Sequence, residues 1–179
     1  LRIEDIDGTR SRPEHVEAII ADLNWLGLSW DGEVRFQSRR LDAYAAVLEG
    51  LKEGGLIYPC FCTRADIARE VAVSASAPHL IATGPDGPVY PGTCRALTAQ
   101  ARAAKIAQGE PHAWRLDMAA ALRAVEGPLI WQDDGAGAVV ADPAAFGDVV
   151  LARKDAPASY HLAVTIDDAD QGVTHVVRG

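Results

Sequence analysis

Three cysteines and a tyrosine are the residues whose types and spacing point most directly to chemistry. Cys60 and Cys62 form a Cys-x-Cys pair, and Cys94 follows after a long segment rich in Ala, Ser, Gly and Pro. Thiolates are preferred ligands of structural zinc, which takes four ligands in a tetrahedron. Three cysteines, an odd number, do not suit a disulfide framework. The pattern therefore predicts a zinc site.

The spacing leaves the fourth zinc ligand open. Tyr90 and Cys94 stand at the two ends of a predicted turn, so both side chains could reach one ion. His79 is the more usual type of ligand, because a phenol must first lose a proton with an ordinary pKa near ~10. Asp86, Asp66 or a distant histidine are further candidates. The alternative is that the thiols are buried, reduced core residues without a metal.

A second group of residues could bind an amino acid. Residues 1–12 mix charges of both signs with a few apolar positions, and Glu4 lies in this segment. Tyr160 and Arg178 stand near the ends of two predicted late strands. An acid for an ammonium group and an arginine for a carboxylate would suit an amino acid with an extra carboxylate. The alternative is a surface edge strand with salt bridges and a solvated terminal arginine.

The elements that must position these residues are predicted from hydrophobic periodicity and turn signals. The chain begins with a predicted strand, most of the predicted helices follow in its first part, and most of the predicted strands lie in its later part. This order indicates an α/β fold with an inserted subdomain. The predicted helices cover residues 13–26, 41–51, 64–70 and 98–108. The later strands are predicted at 56–62, 114–116, 129–131, 138–140, 149–151, 160–166 and 173–179, with a loop over 71–91 and an acidic turn over 167–172.

Composition limits the classes of function. The 179 residues are 49% hydrophobic and 23% charged, as in an ordinary globular protein. The net charge of −8 argues against a protein that coats nucleic acid, although it leaves room for a local basic patch. No apolar run approaches the roughly 18 residues of a membrane span. We expect a cytoplasmic protein without a membrane partner. We also expect a piece of a longer chain, because both ends of the sequence fall inside predicted strands.

Several segments, in this order along the chain, carry a resemblance to a known family. They are Leu1-Arg2-Ile3-Glu4-Asp5, Trp25-Leu26-Gly27-Leu28-x-Trp30-Asp31, Gln37-Ser38, Cys60-x-Cys62-Thr63, Tyr160-His161-Leu162-Ala163, Asp167-Asp168 and Gly172-Val173-Thr174-His175-Val176-Val177-Arg178-Gly179. With these segments the sequence resembles the class I aminoacyl-tRNA synthetases of the glutamyl type over nearly its whole length.

Within that family the zinc pattern resembles one branch, the glutamyl-Q tRNA(Asp) synthetases. That branch has Cys-x-Cys, a long loop and Tyr-x-x-x-Cys, which Cys60, Cys62, Tyr90 and Cys94 match residue for residue. Zinc-bearing glutamyl-tRNA synthetases end the motif with Cys-x-His instead, whereas Ala96 stands at that position here. The resemblance therefore favours Tyr90 as the fourth ligand.

The resemblance also implies the architecture. Residues 1–57 and 151–179 would belong to a Rossmann-like catalytic domain of the class I synthetase type. Residues 58–150 would form an inserted subdomain of the acceptor-binding type that carries the zinc site. The zinc would be structural, because it orders a loop near the tRNA.

The function implied by the resemblance is the transfer of glutamate to a tRNA. Glu4 would bind the amino group of glutamate, Arg178 a carboxylate, and Tyr160 would line the pocket. ATP with Mg²⁺ would give glutamyl-adenylate, and the glutamyl group would pass to queuosine in the anticodon of tRNA(Asp). Catalysis would rest on positioning and charge stabilisation, with no covalent enzyme intermediate, and we expect a monomer.

The sequence departs from the family pattern in one respect. The His-x-Gly-His-type motif and the Lys-containing loop that bind ATP in the family are not among the 179 residues. We therefore expect this chain alone to be inactive. Two other functions remain open: a glutamyl-tRNA synthetase that charges the 3′ end of tRNA, and a non-catalytic, zinc-stabilised RNA-binding module.

Overall fold

The computed structural model describes residues 1–8, 11–75 and 83–177, and the chain divides into two compact units. One unit comprises Leu1–Glu49 and Asp155–Gly179, and the other Gly50–Lys154. The sequence-based division at 57/58 and 150/151 stays a prediction. Within the described residues, the α-helices are α1 Pro13–Trp25, α2 Leu41–Glu53, α3 Arg64–Ala75, α4 Ala99–Ala107, α5 Met118–Ala124 and α6 Tyr160–Gln171. The strands are β1 Arg2–Ile3, β2 Arg35–Phe36, β3 Ile57–Cys60, β4 Thr83–Gly84, β5 Gly87–Pro88, β6 Ala113–Leu116, β7 Ile130–Asp133, β8 Gly137–Val140 and β9 Val150–Ala152.

The first unit has a short parallel strand pair and a mostly helical core. In the pair of β1 and β2, Ile3 lies opposite Phe36. Ile3 is buried, as are Tyr44 on α2 and Leu162 and Ala163 on α6. Parallel strands require a crossover connection, and the segment that contains α1 provides it here. The predicted strand at the start of the chain is therefore confirmed.

The last helix of this unit corrects the sequence analysis. Residues 160–166, predicted as a strand, and the first five residues of 167–172, predicted as an acidic turn, together form α6. Ser159 caps the helix by accepting a hydrogen bond from the Leu162 amide at 3.3 Å, and Gly172 ends it in the left-handed conformation. The last predicted strand is also wrong for the described residues 173–177, which have no regular structure.

The second unit contains a three-stranded antiparallel sheet in the order β3–β6–β9. All four residues of β3 are buried, and Cys60 at its end pairs with Ala113 of β6. The buried core next to this strand comprises Tyr58, Cys60, Tyr90 and Cys94. Three of the residues predicted to bind zinc thus belong to this buried core, and the fourth, Cys62, is partly buried and packs against it.

Two further features of the second unit differ from expectation. The predicted loop over 71–91 is partly regular, because α3 continues to Ala75 and β4 and β5 form a hairpin. Residues 76–82 of that segment lie outside the described residues. The helix α5 was not predicted from the sequence. Its start is capped by the Asp117 carboxylate, which accepts a hydrogen bond from the Ala120 amide at 2.9 Å. The hairpin of β7 and β8 confirms the two strands predicted there.

None of the helices described between residues 1 and 177 is both long and apolar enough to cross a membrane.

Candidate functional site

Cys60 and Cys62 are positioned by the junction between β3 and α3. Cys60 is the last residue of β3, and α3 begins at Arg64. A reciprocal capping box fixes the helix start, because the Thr63 amide donates to the Asp66 carboxylate at 2.8 Å and the Asp66 amide donates to the Thr63 hydroxyl at 3.1 Å. Asp66, one of the candidate ligands, therefore serves as a helix cap.

Tyr90 and Cys94 are brought together by a tight turn. The Arg95 amide donates to the Gly92 carbonyl at 2.9 Å, and Gly92 has a φ of 85°, which favours glycine. The turn folds back far enough for the Cys94 amide to donate to the phenol oxygen of Tyr90 at 2.9 Å. Both side chains consequently point into one small buried region.

The four donor atoms converge on a volume the size of a metal ion. The three Sγ atoms lie within 4.8 Å of one another, and that of Cys62 is 3.4 Å from that of Cys94. The phenol oxygen of Tyr90 is 3.5 Å from the sulfur of Cys60 and 3.4 Å from that of Cys62. A tetrahedral zinc ion with ordinary bond lengths separates two sulfurs by about 3.8 Å and a sulfur from an oxygen by about 3.5 Å. The donor set therefore fits a tetrahedral ion.

The other candidate ligands do not join this set in the structure. His79 lies outside the described residues. In the described ranges, the group of Cys, His and acidic ligand atoms close enough to share an ion consists of the three thiols alone, so it excludes Asp86. Tyr90 is the remaining candidate whose oxygen atom contacts the sulfurs.

Burial and mutual hydrogen bonds shift the acidity of these groups. Burial raises the pKa of the Cys62 thiol to about 12. Burial, followed by the hydrogen bonds with Cys60 and Cys62, raises the pKa of the Tyr90 phenol. For Cys94, burial opposes ionisation, but the hydrogen bonds with Tyr90 and the Phe61 amide outweigh it and lower the pKa. Such a set must release its protons when a cation binds.

The first unit contains an open cavity of about 450 Å³, and of the residues predicted to bind an amino acid Tyr160 lines it whereas Glu4 does not. Tyr160 lines the cavity as the first residue of α6 and is half exposed. This placement corrects the expectation that it would stand at the end of a strand. Arg2 also lines the cavity and donates to the Glu4 carboxylate at 3.2 Å. Arg178, the third predicted residue, lies outside the described residues. The remaining lining residues are Val164, Asp168, Gln171, Val173, His175, Val176 and Val177.

A buried carboxylate that the sequence analysis missed anchors α6. Asp167 is completely buried and accepts hydrogen bonds from Gln37 at 3.1 Å, Arg40 at 2.7 Å and Tyr44 at 2.8 Å. A buried carboxylate is tolerated when it is paired and hydrogen-bonded in this way. These bonds fix the rotation of α6 and therefore the direction in which it presents Tyr160.

The neighbouring acids of α6 bind arginines that the sequence analysis also left unassigned. Asp168 accepts from Arg2 at 2.5 Å, and Asp170 accepts from Arg35 at 2.7 Å and Arg40 at 2.8 Å. Burial alone would lower the pKa of Arg2, but its hydrogen bonds with Asp168 and Glu4 outweigh burial and raise that pKa. The capping signals Ser159 and Gly172 at either end of this segment could have revealed the helix.

Comparison with solved structures identifies the class of fold. A glutamate tRNA ligase from Elizabethkingia meningosepticum, crystallised with its amino acid, matches with a TM-score of 0.74, and the glutamate-tRNA synthetase of Elizabethkingia anophelis with 0.75. Both are 24% identical to this chain and are matched over all of it, which corresponds to 36% and 37% of their own length. The fold is that of a class I synthetase catalytic domain.

Sequence comparison gives the family. The family profile described as tRNA synthetases class I (E and Q), catalytic domain, matches residues 1–179. The chain belongs to this family. It is 45% identical to the glutamyl-Q tRNA(Asp) synthetase of Rhodobacter capsulatus and 42% identical to that of Symbiobacterium thermophilum. It is also 44% identical to glutamate–tRNA ligase 2 of Gluconobacter oxydans.

These relatives are longer than the chain. All of the chain is matched in each case, but it spans 63% of the Rhodobacter protein, 54% of the Symbiobacterium protein and 37% of the Gluconobacter protein. What is similar is therefore a catalytic-domain segment, and the identities of 45% and 44% do not by themselves separate the two activities.

Proposed function

We propose that this chain is the glutamate-binding part of a glutamyl-Q tRNA(Asp) synthetase. The complete protein would activate glutamate with ATP and Mg²⁺ and transfer it to queuosine in the anticodon of tRNA(Asp). The observation that carries the proposal is the convergence of the Tyr90 phenol on the three thiols. By the family resemblance, this donor set would distinguish the two branches of the family, whereas overall identity does not.

The metal in this proposal is zinc, held by Cys60, Cys62, Tyr90 and Cys94. Three thiolates and one oxygen are a donor set that suits Zn²⁺, and the spacing of the donors supports four-coordination. Because four protein ligands leave no open position for water or substrate, the zinc would be structural. It would join the end of β3 to the turn over residues 90–95 and so complete the inserted subdomain.

The glutamate site in this proposal uses the cavity beside α6. The Glu4 carboxylate, which is hydrogen-bonded to Arg2 at the edge of this cavity, would accept hydrogen bonds from the substrate ammonium group, and Tyr160 would line the pocket. Arg178 would bind a carboxylate of the substrate, as the family resemblance implies. Arg2, which contacts both Glu4 and Asp168, holds the Glu4 side chain in place.

The proposed reaction has two steps. A carboxylate oxygen of glutamate attacks the α-phosphorus of ATP, which forms glutamyl-adenylate and releases pyrophosphate. A hydroxyl oxygen of the queuosine cyclopentene-diol then attacks the activated carbonyl carbon, which forms an ester and releases AMP. The residues of this chain contribute by binding and orienting glutamate, because positioning alone removes much of the barrier in such transfers.

A comparison of tRNA acceptors tests the proposal. The complete natural protein that contains this chain is incubated with ATP, labelled glutamate and one of three RNAs: tRNA(Asp) with queuosine, tRNA(Asp) without queuosine, and tRNA(Glu). We expect label only on the first. Labelling of tRNA(Glu) would instead assign the protein to the glutamyl-tRNA synthetases, which the 44% identity to the Gluconobacter ligase keeps as the second candidate.

A further inference from the structure

The positively charged side chain of Arg115 covers the ring of Tyr90. The guanidinium carbon of Arg115 lies 4.1 Å from the centroid of the Tyr90 ring. Arg115 lies on β6, in the sheet that also contributes Cys60 from β3. A guanidinium at this distance is attracted to the ring face. The contact therefore restrains the ring of the proposed oxygen ligand.

Arg115 is itself held in a fixed orientation. Its Nη1 atom donates to the backbone carbonyl of Asp148 at 2.7 Å. Its Nε atom is buried and has no hydrogen-bond partner among the residues that the structure describes. A buried N–H without a partner is unfavourable, so hydrogen bonding alone does not explain the position of the Arg115 side chain. Contact with the Tyr90 ring supplies that explanation.

Asp148 is also connected to the Cys94 end of the turn that carries the proposed ligands. Its carboxylate is buried and accepts hydrogen bonds from Arg95 at 2.9 and 3.1 Å and from the Met118 amide at 3.0 Å. Arg95 directly follows Cys94. Asp148 is thus linked to both ends of the turn, to the Tyr90 end through Arg115 and to the Cys94 end through Arg95.

We propose that Arg115, oriented by the backbone of Asp148, is a positioning residue of the metal site. Arg115 contacts the ring face of Tyr90. This contact holds the phenol oxygen at a position from which it and the three thiol sulfurs can bind one ion. Arg115 is not itself a ligand. The inference rests on the zinc site of the proposed function, and it adds the outer contact that makes a phenol usable as the fourth donor.

Zinc affinity of substituted proteins tests the role. In Arg115→Met the side chain keeps its approximate length but loses the guanidinium, and we expect zinc affinity to fall about tenfold, the lower end for the loss of an outer contact. Arg115→Lys restores a cation above the ring and should recover most of this loss. Lys52→Met is the matched control, because Lys52 lies over the ring of Trp114 at 4.3 Å. Its zinc affinity should equal that of the wild type.

A double-mutant cycle separates positioning from general stability. In a Tyr90→Phe background the phenol oxygen is gone, so Arg115→Met should change zinc affinity by less than about twofold if it acts through that oxygen. An equal tenfold loss in both backgrounds, or unchanged affinity in Arg115→Met alone, would overturn the inference. Failure of the wild-type chain to bind zinc at all would overturn the proposed metal site, and the inference with it. The readout is competition with a chromogenic zinc chelator, with thermal unfolding of each metal-free variant measured in parallel.

Discussion

The sulfur of Cys62 lies 3.4 Å from that of Cys94, although the two residues are 32 positions apart in the chain. Cys62 follows a buried strand and Cys94 closes a tight turn, so two separate local structures meet at one point. The Tyr90 phenol lies between the thiols and receives a hydrogen bond from the Cys94 amide. A structural ion here would join these two local structures through its ligands.

Tyr90→Phe should weaken zinc binding more than any change of an outer contact. The substitution removes the oxygen donor and keeps the ring under Arg115. Loss of an outer partner typically costs 10- to 100-fold in metal affinity, so loss of a ligand should cost more than the loss of about tenfold expected for Arg115→Met. Competition with a chromogenic chelator measures the change.

Tyr44→Phe is the control for that measurement, because it also removes a buried phenol oxygen, but in the other unit. Its zinc affinity should match that of the wild type. If Tyr90→Phe and Tyr44→Phe bound zinc equally well, Tyr90 would not be a ligand.

Glu4→Gln should weaken glutamate binding by the complete protein. The substitution keeps the size of the side chain and removes the charge that would face the substrate ammonium group. Hydrogen bonds to charged groups contribute about 1.5–3 kcal/mol, so the dissociation constant should rise roughly 10- to 150-fold. Isothermal titration calorimetry measures it, with the exposed Glu33→Gln as control. Equal affinities of the two variants would remove Glu4 from the glutamate site.

Tyr44→Phe should also destabilise the first unit. Its hydroxyl donates to the buried carboxylate of Asp167, and the loss of a hydrogen bond to a charged group should lower the free energy of unfolding by about 1.5–3 kcal/mol. Tyr160→Phe removes a hydroxyl from a half-exposed side chain and should change the free energy of unfolding by less than about 0.5 kcal/mol. Urea unfolding distinguishes the two, and indistinguishable variants would contradict the role of Asp167 as the anchor of α6.

The same tyrosine predicts a difference in alkaline stability. Burial, followed by the hydrogen bond with Asp167, raises the pKa of Tyr44 from 10.0 to about 12. Its stabilising effect is therefore fully present below pH 10 and is lost as the pH rises from there towards 12. The wild type should lose more stability than Tyr44→Phe over this interval, because the two proteins share all other titrating groups. Parallel loss in both would contradict the raised pKa.

Gly147→Ala should destabilise the second unit more than Gly109→Ala. Both glycines have a positive φ, of 64° and 73°, and the ψ of −156° at Gly147 places it in a region that is essentially restricted to glycine and costs another residue about 1–3 kcal/mol. A Cβ atom at Gly147 would also lie 2.2 Å from a methyl carbon of Val89, whereas one at Gly109 would meet nothing within 4 Å. Overpacking adds about 1–3 kcal/mol, so chemical unfolding should show a clear difference between the variants. Equal losses would mean that Val89 moves aside freely.

The parts of the fold that could be predicted are those fixed by local chain signals. Thr63 and Asp66 form a capping box at the start of the helix predicted over residues 64–70, and short strand-like runs separated by turn residues identified β3, β7 and β8. The candidate zinc ligands could be named from the sequence because Cys-x-Cys and Tyr-x-x-x-Cys are short segments. Their meeting point depends on the tertiary structure, which the sequence alone does not display.

The part that could not be predicted is where burial overrides propensity. Val164, Thr165 and Ile166 favour a strand by residue type, but burial of Leu162, Ala163 and Asp167 selects the helix α6. A fully buried aspartate is rare, so the pairing of Asp167 with Gln37, Arg40 and Tyr44 gave no signal in the sequence. Acidic residues in a row are more often a solvated turn.

The position of the label on the charged tRNA tests the central claim most directly. The complete natural protein would be incubated with ATP, labelled glutamate and tRNA(Asp) that carries queuosine, and the tRNA would then be digested into defined fragments. We expect the label in the anticodon fragment. Label on the 3′-terminal adenosine would contradict the claim, and the Tyr90-containing donor set would then belong to an ordinary glutamyl-tRNA synthetase.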